Sequence, residues 1–121
     1  MAAVLRVLVN AGLDVNYQNP NNGATVLHAI AWAGNDEAID ILLRNGAYPS
    51  LRNLDGDTAL HAACTGWQKS AATMLVLAGA DPEFENAAGE RPIDVAPAID
   101  RSAFQQAIDD ALARRAESEE E

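Results

Sequence analysis

Gly23, Gly56 and Gly89 stand 33 residues apart, and the same interval recurs elsewhere in this 121-residue chain. His28 and His61 share it, as do Gly46 and Gly79, and Asp94 stands where a third histidine would fall. Laid on that period, GATVLHAIAWAG, GDTALHAACTGW and GERPIDVAPAID superimpose without a gap, and so do AIDILLRNGAYP and AATMLVLAGADP. A unit of this size cannot bury its own apolar face. Copies must therefore stack side by side into a solenoid in which each contacts only its neighbours.

Within one period the signals are helical. Thr25 and Thr58 are placed to N-cap a short helix, and its small residues (Ala29 and Ala31; Ala62 and Ala63) allow close approach to neighbours. A second helix follows, with apolar residues at Ala38, Ile39, Leu42 and Leu43 and again at Ala71, Ala72, Leu75 and Val76. That spacing makes one stripe on a helix. Gly46 and Gly79 should end it, because the left-handed residue after a helix is cheapest as glycine. The extended segments before Gly23, Gly56 and Gly89 should form β-turns.

The G-x-T-x-L-H turns, the Leu-rich second helices and the Gly-Ala exits resemble the ankyrin repeat, whose pattern runs G-x-T-P-L-H-x-A-A-x-x-G, then a Leu-rich helix, then G-A-D, over residues 2 to 112. The resemblance implies an all-α fold, an ankyrin-type α-solenoid of stacked helix pairs with β-turn fingers along one edge. It also implies that Thr25–His28 and Thr58–His61 brace their turns, and that the function is protein–protein interaction without catalysis. Contacts in the family are made by finger tips and first helices. Carried onto this chain, the partner surface comprises Asn21, Asn22, Ala24, Trp32 and Ala33, then Leu54, Asp55, Asp57 and Thr65, then Ala88 and Glu90.

The register organises residues 1–116 into one domain. It holds a half repeat over 1–19, full repeats over about 20–52 and 53–85, and a degenerate repeat over about 86–116, with an acidic tail at 117–121. In the half repeat Val4, Leu5, Leu8 and Val9 take the places of Ala38, Ile39, Leu42 and Leu43 without a first helix beside them. The N-terminal end is therefore expected to be covered by another chain or segment. One extra residue in NPNN lengthens the first finger. Ser102 and Gln105 have capping-box spacing ahead of an amphipathic helix through Phe104, Ile108 and Leu112.

Charge narrows the partners. The formal net charge is −10, and acids still outnumber bases once the ESEEE tail is set aside. Such a surface repels phosphate and disfavours nucleic acid, whereas a protein with a neutral or basic surface suits it. No apolar run is long enough for membrane insertion. A single cysteine leaves no internal disulfide and favours a reducing, intracellular compartment.

His61 and Cys64, one helical turn apart, raise the rival reading of an enzyme with a base beside a thiol. The equivalent turn in the preceding repeat has His28 with Ala31 in the cysteine's slot, so the pair reads as scaffold and Cys64 as a small buried residue. Asp81, Glu83 and Glu85 lack the glycine and glutamate of a calcium loop, with Asn86 and Pro92 at those positions. No catalytic residue, metal ligand or cofactor site is assigned. Trp32, in a slot that varies in ankyrin repeats and faces their concave surface, is the expected contact anchor; Trp67, where the repeat wants glycine, is expected to pack into the interhelix turn. The function that follows is an interaction module, either an accessory or scaffolding subunit of a larger assembly, a transient adaptor, or a piece of a longer ankyrin protein.

Overall fold

The computed structural model describes residues 2–120, with side chains for 2–118; positions 119–121 of the expected acidic tail lie outside the described side chains. The elements are α1 (Ala2–Asn10), α2 (Val26–Ala33), α3 (Asp36–Arg44), α4 (Ala59–Thr65), α5 (Lys69–Leu77), 3-10 turns at Pro92–Val95 and Ala98–Asp100, and α6 (Arg101–Glu120). Among the described residues there is no strand. Two layers result. First helices α2 and α4 pack side by side and continue onto the Pro92–Val95 turn, while α1, α3, α5 and α6 form the second layer behind them. One core runs between the layers, through Leu27, Ile30, Ile39, Leu42, Leu60 and Cys64 to Leu75, Val76, Phe104 and Ile108.

Each second helix stops in the same way. Gly12, Gly46 and Gly79 take φ of 98°, 91° and 107°. Their N–H groups bond the carbonyls of Val9, Leu43 and Val76, and the next residue reaches one position further back, to Leu8, Leu42 and Leu75. These paired bonds form a Schellman motif, which needs a left-handed residue and so selects glycine. The fingers are tied as well. Leu54 N–H donates to Asn22 C=O at 2.8 Å, and Ala87 N–H to Asp55 C=O at 3.0 Å. A Cβ on Gly23 or Gly56 would lie 2.9 or 2.7 Å from the Leu54 or Ala87 nitrogen, so the fingers stack this closely only with glycine there. The first finger carries its extra residue: Gly23 N–H closes a five-residue turn on Asn19, whereas Gly56 and Gly89 close four-residue turns on Asn53 and Asn86.

The last repeat departs from the pattern. Pro92 opens a 3-10 turn in place of a first helix, and Asp94, in the histidine slot, accepts the Arg91 N–H at 2.9 Å. The Arg91 guanidinium holds its carboxyl below the ordinary carboxylate value. Asp94 braces its own turn through Arg91, and among the described residues its side chain makes no bond to another repeat. α6 then closes the stack, with Phe104, Ile108 and Ala111 buried against it. Arg115 Nη1 donates to the carbonyls of Val76 and Ala80 at the end of α5. The expected capping box at Ser102 does not form. Helix α6 already begins at Arg101, and Gln105 Nε2 donates forward to Asp109 Oδ1 at 2.9 Å instead of back to Ser102.

Candidate functional site

The seams between repeats are built on histidine. His28 Nδ1 accepts the backbone N–H of Thr25 at 3.1 Å and lies 2.9 Å from the Thr25 hydroxyl. Because a backbone N–H can only donate, Nδ1 is unprotonated and the ring proton sits on Nε2. Nε2–H then donates to Asp57 C=O in the next repeat, at 2.8 Å. His61 repeats the arrangement with Thr58 N–H at 3.2 Å and Glu90 C=O at 2.9 Å. The expected bracing within each turn is present, and the same ring also ties each turn to the following finger.

This geometry uses up the imidazoles. Both histidines are buried, and both His61 ring nitrogens are engaged. Cys64 is fully buried, and desolvation pushes its thiol up to about 12, so it stays protonated and unreactive at neutral pH. Asp81 Oδ1 accepts the Glu83 N–H, and Glu83 pairs with Arg91, so these acids serve the finger. Among the described residues no three His, Cys, Asp or Glu side chains converge to hold a metal ion.

Burial holds the His28 pKa below its ordinary 6.5, outweighing the bond and charge of Asp57. The neutral ring is therefore the folded form. At pH above 6.5 both folded and unfolded chains carry it uncharged. As pH falls below 6.5 the unfolded chain takes up a proton first, and stability is lost until the folded ring also titrates. The midpoint of urea unfolding should fall between about pH 6.5 and 5, before most carboxylates titrate. Exchanging His28 for Gln should flatten that slope; an unchanged slope would assign it to other groups.

The residues anticipated as partner contacts fall into two rows. Asn21, Asn22, Leu54, Asp55 and Ala88 are exposed along the finger tips, and Trp32, Ala33 and Thr65 are exposed at the far ends of α2 and α4. Ala24, Asp57 and Glu90 are half-buried at the finger bases. Asp57 and Glu90 also have a structural part that their residue types do not disclose. Their carbonyls receive the two histidines, and their carboxylates accept from Asn86 Nδ2 at 2.9 and 3.2 Å.

Trp67 overturns its expectation. It is 59% exposed, as is Trp32, and does not pack into the turn. Its φ is +63°, which no other non-glycine residue among those described shares. Trp67 N–H bonds Cys64 C=O and Gln68 N–H bonds Ala63 C=O, the same helix ending that Gly34 makes one repeat earlier at φ +74°. A side chain in that conformation costs about 1–2 kcal/mol. The glycine before it is required in its own right, because a Cβ on Gly66 would lie 2.3 Å from the Trp32 carbonyl oxygen.

Sequence reasoning missed an apolar groove of about 570 Å³ at the N-terminal end. Val4, Leu5, Leu8, Leu13 and Tyr17 line one side, and Val26, Ala29 and Ile30 of α2 the other. The unpartnered side of α1 was legible; its joining with α2 and Tyr17 into one concavity was not.

Comparison with known proteins agrees with this architecture. A family model described as ankyrin repeats in three copies matches residues 1–86, leaving the degenerate last repeat outside the match. A 53-residue stretch is 40% identical to the ankyrin repeat and KH domain-containing protein mask-1 of Caenorhabditis elegans. That match covers 44% of this chain and 2% of the relative, so it reports the repeat and little of the larger protein. With the repeat register, the Thr–His seams and the family match in accord, this chain belongs to the ankyrin repeat family, whose repeats are protein–protein interaction modules.

Proposed function

We propose that the chain is a non-catalytic scaffolding subunit, contacted by a protein partner across finger tips and first helices and seated in a larger assembly through its N-terminal groove. One observation carries the second half of that reading. Val4 is 62% and Leu8 48% exposed along that groove, where their equivalents Ala38 and Leu42 are both 0% exposed one repeat on. Burying such side chains is worth about 1.5–3 kcal/mol each, a large share of the stability of a small domain.

The backbone supports the same reading. Asp57 C=O and Glu90 C=O each receive an imidazole N–H beside the N–H of Asn53 or Asn86. The corresponding Ala24 C=O receives the N–H of Asn19 without an imidazole beside it, and Ala24 lines the groove. A helix with small residues on one face and a side-chain N–H donor would complete this seam as α2 and α4 complete the others.

Hydrogen exchange over residues 3–11 tests the proposal. Exchange should be fast in the isolated chain and slowed at least tenfold in the native assembly. Slow exchange in the isolated monomer would mean that α1 needs no cover, and the subunit reading would lose its support.

A further inference from the structure

We infer that Trp32 and Trp67 form one two-indole patch that receives a basic, extended segment of the partner protein. This rests on the concave-face reading above and adds the chemistry of what binds there. The indoles belong to neighbouring helix ends in backbone contact, because a Cβ on Gly66 would sit 2.3 Å from Trp32 C=O and 3.1 Å from Trp32 Cα. Each is 59% exposed, so neither is present for the core.

Trp67 is the more telling of the two. Its backbone sits in the left-handed conformation that Gly34 occupies in the repeat before it. Stability alone would favour glycine there, and an exposed indole recovers little by burial. Strain held at an exposed aromatic side chain is characteristic of a binding position.

Charge decides the partner's chemistry. The cations of this chain are largely engaged internally: Arg6 with Glu37, Arg44 with Asp40, Lys69 with Asp100, and Arg91 with Glu83 and Asp94. Arg101 and Arg115 donate to backbone carbonyls, and Arg52 stacks on Phe84. The finger acids Asp55, Asp57 and Glu90 form no ion pair among the described residues, in a chain of net charge −10. An acidic segment would be repelled. A Lys or Arg side chain suits both rows, its stem and cation on an indole face and a second cation at the fingers. Helices α2 and α4, of 8 and 7 residues, separate the rows by about 10–12 Å. Three residues of extended chain span about 9–10 Å, and the reach of the Lys or Arg stems covers the remaining distance between the rows.

Three short peptides of repeating Arg-Thr-Pro, Glu-Thr-Pro and Leu-Thr-Pro serve as probes, with tryptophan fluorescence and calorimetry as readouts. The Arg peptide should bind, weaken as salt rises and shift the tryptophan emission, and the Glu peptide should not bind. Trp67→Gly should leave the melting temperature unchanged or raised while weakening the Arg peptide at least tenfold. Trp67→Asn, which also tolerates the left-handed backbone, should behave alike. Trp32→Ala and Asp55→Asn should each weaken it with the fold intact. The inference is overturned if the Arg peptide does not bind at low salt, if the Leu peptide binds as well, or if Trp67→Gly leaves affinity unchanged. It is also overturned if a native partner protects the finger tips and first helices from exchange yet ignores both Trp67→Gly and salt. In that last case the concave-face reading stands and only the basic-segment assignment falls.

Discussion

Replacing Phe104 by alanine is expected to destabilise the protein by about 3–5 kcal/mol, the usual range for removing a buried phenyl ring. Phe104 is fully buried, and it heads the stripe with Ile108 and Ala111 by which α6 covers α5. The degenerate last repeat has a 3-10 turn where its predecessors have a helix, so α6 supplies most of the cover on that side. Loss of the ring opens a cavity in the core that α6 covers beside α5. Since small domains are stable by only about 5–15 kcal/mol, the variant should unfold at a much lower urea concentration. Phe104→Leu should recover most of the loss because it refills much of the volume. Far-ultraviolet circular dichroism during urea titration measures both. A loss below about 1 kcal/mol for the alanine variant would show that α6 is not part of the cooperative core.

The second large effect is expected at His61. Exchange for alanine leaves Thr58 N–H without its acceptor, deprives Glu90 C=O of one donor and opens a void in a site that is 1% exposed. A buried polar group left without a partner costs about 1–3 kcal/mol, and the void adds to it. We expect a total of about 2–4 kcal/mol, above the roughly 0.5–2 kcal/mol of Thr58→Ala, which removes only the hydroxyl. The seam at His61 joins the second full repeat to the last one, and solenoid stability is a sum of such nearest-neighbour interfaces. Cooperativity should therefore suffer along with stability. Circular dichroism and the reaction of Cys64 with a thiol reagent should give separate urea midpoints in the variant and coincident ones in the parent. Coincident transitions in both would place the coupling between repeats elsewhere.

Much of the fold was legible because its determinants are local and recur every 33 residues. The turn residues, the apolar stripes of α3 and α5, and the left-handed glycines at 46 and 79 each answer to a requirement of the backbone within a few positions. The structural nature of His61 was legible too, since His28 occupies the same slot without a cysteine beside it. Where periodicity weakens, reading by register fails. Ser102 has the spacing of a cap, but the helix begins one residue earlier, following directly on the Ala98–Asp100 turn. A short pattern cannot reveal how the chain arrives at it.

Residue order determined that this chain is a stack of helix pairs, which residues meet in its core and where each second helix ends, because those outcomes follow from side-chain period and backbone conformation within one repeat. Tertiary structure alone decided the rest. It gave the backbone of Asp57 and Glu90 the imidazoles of the preceding repeats. It left Leu8 wet where Leu42 is dry. It also brought Gly66 so close to the Trp32 carbonyl of the preceding repeat that no Cβ fits there. Each of these depends on what a neighbouring repeat brings within a few ångströms, and no list of residue types in order contains that distance.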